Sequence, residues 1–183
     1  MISTKLTFAV QPKDAFSPKK KTMGKCKVKI VGVDKEPIEN RSGFHCFTNL
    51  PDGGYEVETS NRYYLDKKID VETDDLDPKA PAVDVSLEPN LIYPFPKGTT
   101  LLRGRVLDED GLDIPAAKVK IKNTDKVYIT DQMGRFIFYF KDFEDDQEEV
   151  VVRVKKPGFK KRNVRLNVVK GETNLVKITL KAN

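Results

Sequence analysis

The same order of short motifs runs through this chain twice, and that repetition limits what it can fold into. The first half reads Arg41-Ser42-Gly43-Phe44-His45-Cys46-Phe47, then Tyr55-Glu56-Val57, then residues 62–71, and ends on Val83-Asp84-Val85-Ser86-Leu87. The second half reads Gln132-Met133-Gly134-Arg135-Phe136-Ile137-Phe138, then Val150-Val151-Val152-Arg153-Val154, then residues 158–166, and ends on Val176-Lys177-Ile178-Thr179-Leu180. A period of roughly ninety residues exceeds the 20–50 of a solenoid repeat, so each copy is expected to enclose its own core. With 38% hydrophobic residues, including 10 Phe and 6 Tyr, the chain has apolar material for two small cores and is not a disordered protein.

Within each copy apolar and charged residues alternate, as in Lys27-Val28-Lys29-Ile30, Lys118-Val119-Lys120-Ile121 and Val164-Arg165-Leu166, which is the pattern of half-buried strands. No window carries a helical stripe, and the like charges of the acidic run 142–149 disfavour more than a short turn there. Turns with a clear mechanism separate the strands: Leu50-Pro51-Asp52-Gly53-Gly54, Asp108-Glu109-Asp110-Gly111 and Lys156-Pro157-Gly158 combine a preset φ, an Asp that bonds the backbone, and a Gly free to take positive φ. The expected architecture is all-β: two tandem antiparallel β-sandwiches over 1–88 and 101–183, joined by a Pro-rich linker over 89–100. Tyr93-Pro94-Phe95-Pro96 should be an extended, stiff spacer with its rings in the crease between domains and a restricted angle there. The first core is expected to hold Phe8, Val28, Ile30, Phe47, Tyr55, Val57, Ile69, Val71 and Val85. The second is expected to hold Val106, Val119, Ile121, Phe136, Phe138, Val152, Val154, Phe159, Val164, Leu166, Ile178 and Leu180.

Residues Arg103-Gly104-Arg105-Val106, Ile114-Pro115-Ala116-Ala117-Lys118-Val119, Thr130-Asp131-Gln132-Met133-Gly134-Arg135-Phe136 and Lys156-Pro157-Gly158-Phe159 resemble a carboxypeptidase regulatory-like domain. This resemblance implies a prealbumin-like (transthyretin-like) β-sandwich, an accessory fold without a catalytic centre of its own. The first half looks like a diverged copy in which Asn40 stands where Asp131 stands, with a longer and more basic first connection at 11–25. The segment 93–104 is similar to a junction in leaderless two-module proteins associated with phage-tail-like contractile injection systems. That likeness implies a structural part or adaptor of an assembly.

Catalytic sets can be tested by counting. The chain has 1 His, so a two-His metal site cannot be built, and His45 lies between Phe44 and Cys46 on a predicted strand without a nucleophile elbow. If Phe44 and Cys46 point inward His45 faces solvent; if it shares a face with Phe47 it is a core or rim histidine. Cys26 and Cys46 lack metal-ligand spacing and are expected to be small buried hydrophobes. A calcium site at Asp131 with Asp108 and Asp110 would fall short of the six to eight oxygens that such an ion takes. No enzyme activity and no cofactor are therefore expected.

Charge is the remaining signal. Residues 1–96 carry 14 basic and 15 acidic side chains, whereas 97–183 carry 19 and 13, so the positive field belongs to the second half. Lys155, Lys156, Lys160, Lys161 and Arg162 gather at one predicted hairpin; together with Tyr63 and Tyr64 they are the candidate partner-binding residues. A protein partner is the leading expectation. A glycan is the alternative, with Tyr55, Tyr63, Tyr64 and Tyr128 as platforms in a chain with 0 Trp. Nucleic acid ranks lower, since charge appears here without a reading motif. No stretch reaches the length of a membrane helix and residues 1–14 hold no apolar leader, so the expected setting is the cytoplasm or a leaderless exported particle.

Overall fold

The structure is a computed structural model that describes residues 4–141, 143 and 145–183; Asp142 and Glu144 of the acidic run lie outside the described residues. The alternating segments all become strands, and among the described residues the sole helical element is a 3-10 turn at Thr73–Asp75. Glu148 and Glu149 of the acidic run are strand residues. The chain divides into two compact units, Met1–Tyr93 and Pro94–Asn183.

The first unit contains β1 (Leu6–Asp14), β2 (Lys27–Ile30), β3 (Ile38–Glu39), β4 (His45–Thr48), β5 (Gly54–Ser60), β6 (Lys67–Glu72) and β7 (Ala82–Leu87). They form a sheet ordered β3-β4-β1-β7 and a second ordered β2-β5-β6. The second unit contains β8 (Thr100–Leu107), β9 (Lys118–Ile121), β10 (Val127–Ile129), β11 (Arg135–Phe140), β12 (Gln147–Lys155), β13 (Arg162–Val169) and β14 (Thr173–Thr179), in sheets ordered β11-β8-β14 and β10-β9-β12-β13. The sandwiches are antiparallel but for one pair in each: β1 runs parallel to β7, and β8 parallel to β14. Period-two alternation tells which face of a strand is buried but is blind to the direction of its neighbour. Strand for strand the units share one connectivity, apart from a single short edge strand. In the first unit β3 pairs with β4, whereas in the second β10 pairs with β9.

The turn before β4 and the turn before β11 close in the same way. Asn40 Oδ1 accepts the N–H groups of Ser42 (2.9 Å) and Phe44 (3.0 Å), and Asp131 Oδ1 those of Met133 (3.0 Å) and Arg135 (2.8 Å). Gly43 and Gly134 each take positive φ, 86° and 66°, a backbone conformation that L side chains rarely adopt, and at Gly134 a Cβ would also stand 2.4 Å from the Val106 carbonyl oxygen. Burial pushes the Asp131 carboxyl up, but the Arg135 guanidinium and the two backbone N–H groups outweigh it and hold it below the usual carboxylate range.

Phe8, Val28, Ile30, Phe47, Val57, Val71 and Val85 are buried in the first unit, joined by Val10, Tyr64 and Leu87. Tyr55 and Ile69 are only half-buried; the Tyr55 ring packs 5.6 Å from that of Phe8 while its hydroxyl donates to the Pro51 carbonyl. In the second unit Val106, Val119, Ile121, Phe136, Phe138, Val152, Val154, Ile178 and Leu180 are buried. Phe159 is half-buried in the turn before β13, and Val164 and Leu166 are half-buried because β13 is the outermost strand of its sheet. The Phe136 ring lies on the bare backbone of Gly104, where an added Cβ would stand 2.1 Å from the ring Cζ. Val28 pairs with Thr59 in one unit and Val119 with Val154 in the other, so Thr59 occupies a valine position; its Oγ1 is buried without a hydrogen-bond partner.

Candidate functional site

The basic hairpin is a built feature. β12 ends at Lys155, Gly158 turns the chain with φ 85°, and Phe159 N–H closes on the Lys156 carbonyl at 3.1 Å. The C-terminal residues fasten it: Lys160 N–H donates to the Lys181 carbonyl at 2.8 Å and Asn183 N–H to the Gly158 carbonyl at 3.2 Å. Beside the turn lies a groove of about 420 Å³ lined by Ala116, Lys118, Lys155, Lys156, Pro157, Phe159 and Lys161. Three of the five predicted basic residues, Lys155, Lys156 and Lys161, meet there. Lys160 is exposed on the same hairpin outside the lining, and the Arg162 guanidinium donates to the Thr179 carbonyl, a tie between strands.

Lys118 completes the groove and was not among the residues singled out from sequence. It stands directly opposite Lys155 in the β9–β12 register, and one step along Lys120 stands opposite Arg153. Alternation already placed Lys118 and Lys120 on an outer face; only the register brings them against Lys155 and Arg153. Like charges directly opposite across a sheet are destabilising. The matching face of the first unit is built differently: Lys29 stands opposite Glu58 and pairs with it at 2.8 Å. Among the described residues none of Lys118, Lys155, Lys156 and Lys161 has an acidic partner.

Tyr64 is withdrawn as a surface residue. It is 2% exposed, and its hydroxyl accepts the Met23 N–H at 3.0 Å. Burial pushes that hydroxyl up to about 12, with the Met23 N–H pulling it down and the nearby Asp14 carboxylate raising it further. Tyr63 is the half-exposed one, with the Arg62 guanidinium 5.7 Å over its ring. The spacer rings also find internal places. Tyr93 packs edge-on to Tyr64 at 5.6 Å and donates to Asp14 Oδ2 at 2.6 Å in the first unit, and Phe95 lies 5.8 Å from Tyr139 in the second.

His45 shares the buried face with Phe47 and is 5% exposed. Burial pulls its imidazole below the ordinary 6.5, opposed by Glu39 and aided by Lys25. Cys26 is buried, its thiol donating to Thr22 Oγ1 at 3.4 Å and accepting from Asn61 Nδ2 at 3.3 Å, and no hydrogen bond joins it to His45 as a nucleophile and base would require. Cys46 is half-buried. Among the described residues no three His, Cys, Asp or Glu side chains are grouped to hold a metal; Asp108, like Asp131, serves a turn, its Oδ1 accepting the N–H groups of Asp110 and Leu112. Among the described residues no helix is long and apolar enough to cross a membrane.

No family model matches the chain. No curated protein matches it either. Among solved structures it is similar to a type II cohesin-X-dockerin complex from Acetivibrio cellulolyticus, at 18% identity and a TM-score of 0.34 over 45% of this chain and 58% of that one. It is also similar to the Bacillus anthracis TIE protein, at 17% identity and a TM-score of 0.36 over 96% of this chain and 33% of that one. The minor pilin GBS52 of Streptococcus agalactiae is a third, at 12% identity and a TM-score of 0.36 over 96% of both chains. The chain thus spans less than two thirds of the length of the first two. At these scores the likenesses carry nothing over to the function of this chain.

Proposed function

We propose that the chain is a non-enzymatic structural or protein-binding module, built as two tandem copies of a carboxypeptidase regulatory-like sandwich, whose basic groove docks an acidic face of a partner protein in a larger assembly. The observation that carries this is the facing of Lys118 by Lys155 beside Lys156 and Lys161, with Pro157 and Phe159 in the same lining and no acidic partner for these lysines among the described residues. A sheet that could have alternated charge, as the first unit does with Lys29 and Glu58, instead presents one sign. A partner carboxylate would relieve that repulsion, and charged grooves of this kind steer encounter. Duplication is supported by the shared connectivity and by the matched Asn40 and Asp131 turns. A phage-tail-like contractile injection particle is the assembly that the junction at 93–104 favours. A non-catalytic role fits a lone buried His45 without a nucleophile bonded to it. The glycan reading loses two of its platforms, since Tyr64 and Tyr128 are buried.

The test is capture of partners from native lysate with the wild-type chain and with the double variant Lys155→Glu/Lys161→Glu as bait. A partner held by the first and released by the second is expected. A wild-type chain that captures nothing and stays monomeric at high concentration sinks the proposal.

A further inference from the structure

The first unit has a hollow of its own. It measures about 550 Å³, within the range of small-molecule sites, and its walls include Lys19, Lys20, Lys21 and Arg41, with His45 among the lining residues and Glu39 the one acid. Two departures from the second unit create it. The first is the connection between β1 and β2, which carries the three consecutive lysines and is pinned in place. Asp14 Oδ1 accepts the Phe16 and Ser17 N–H groups, and Lys21 Nζ donates to the Arg41 carbonyl at 2.7 Å, joining this connection to the turn before β4.

The second departure is His45 itself. Five residues beyond Asp131 stands Phe136, fully enclosed against Gly104; five residues beyond Asn40 stands His45, opposite Val10. A position closed by a benzyl ring in one unit thus holds an imidazole at the cavity in the other. That imidazole is nine-tenths buried, and among the described residues it makes no hydrogen bond. Its ring nitrogens are not sealed off by protein, so they open on the cavity beside the cations, where an acceptor group of a ligand can reach them.

We propose that this cavity binds a small molecule through a tetrahedral oxyanion group, a phosphate or phosphate monoester, with the Arg41 guanidinium and the Lys19 and Lys20 ammonium groups neutralising its charge and a His45 ring N–H donating from the floor. A planar guanidinium fork matches two oxygens of such a group, and the lysines act as mobile point charges beside it. A hollow of this size takes a compact ligand.

The experiment is calorimetric titration of the full chain with inorganic phosphate and, separately, with phenyl phosphate, alongside NMR of the imidazole, whose signals are unambiguous in a chain with 1 His. Saturable one-to-one binding that shifts the His45 ring resonances is expected, weakened about tenfold or more in Arg41→Ala by loss of a charge-assisted pair. His45→Phe, which rebuilds the position as the second unit has it, should lose binding while folding normally; Arg41 is exposed, so Arg41→Ala keeps the test sound if the His45 variant fails to fold. Tighter binding of phenyl phosphate assigns the site to an ester, equal binding to the free anion. Lys155→Glu/Lys161→Glu should leave both unchanged, which separates this site from the groove of the second unit. Absence of saturation by either probe at about 10 mM, weaker than any useful site, overturns the proposal. Binding that survives in both Arg41→Ala and His45→Phe overturns it equally.

Discussion

Phe136 and Thr59 show how much a single position decides in sandwiches this thin. The Phe136 ring is enclosed completely and has no slack on the side of Gly104, so truncation leaves a cavity the sheet cannot close. Phe136→Ala should lower unfolding free energy by about 3–5 kcal/mol in denaturant titration. Thr59 is the opposite case. Its hydroxyl is buried at a position where the second unit has Val154, and it has no acceptor, so Thr59→Val is expected to raise stability by about 1–2 kcal/mol. His45 adds a pH dependence whose sign follows from burial. Its folded pKa lies below 6.5, so the unfolded chain takes up a proton that the folded chain refuses. Stability from this group is complete above the ordinary pKa and is lost as pH falls through the folded one. Denaturation midpoints should therefore drop as the pH falls below about 6.5, and His45→Phe should flatten that drop.

At the scale of elements, the segment read as a spacer is partly core. Tyr93 places its ring against Tyr64 and Phe16 and its hydroxyl on the buried carboxylate of Asp14, whose other oxygen holds the start of the β1–β2 connection. Tyr93→Phe removes one bond to a charged acceptor and should cost about 1–3 kcal/mol, measured as a shift in the thermal or denaturant transition. β3 and β10 carry a second lesson. Each is a short edge strand in the same place in the order, yet one adds to β4 and the other to β9. A two- or three-residue edge is held by few ladder bonds, so small differences in the flanking loops choose its sheet.

For the whole molecule the decisive quantity is the uneven field. The half with 19 basic and 13 acidic residues also carries the unrelieved Lys118 and Lys155 pair, so partner association should slow as ionic strength rises. Lys155→Glu/Lys161→Glu should flatten that salt dependence in stopped-flow measurements without lowering the melting temperature, since these side chains are exposed and Lys155→Glu relieves the repulsion with Lys118. An unchanged association rate accompanied by greater aggregation would assign the lysines to protection of the sheet and not to docking.

Strand positions, the all-β class and the Asn40 and Asp131 turns were legible in the residues, because period-two alternation and turn chemistry are local physics that each short segment expresses by itself. Most of the two cores followed from the same alternation. What lay beyond the sequence depends on which strands meet. Register set Lys118 against Lys155, edge placement left Val164 and Leu166 half-buried, and long-range packing enclosed Tyr64 and Tyr93 through Asp14, a residue some fifty to eighty positions away from them in the chain. Alternation left both faces open to His45; packing alone chose the buried one beside Phe47, and with it a polar floor for the cavity of the first unit.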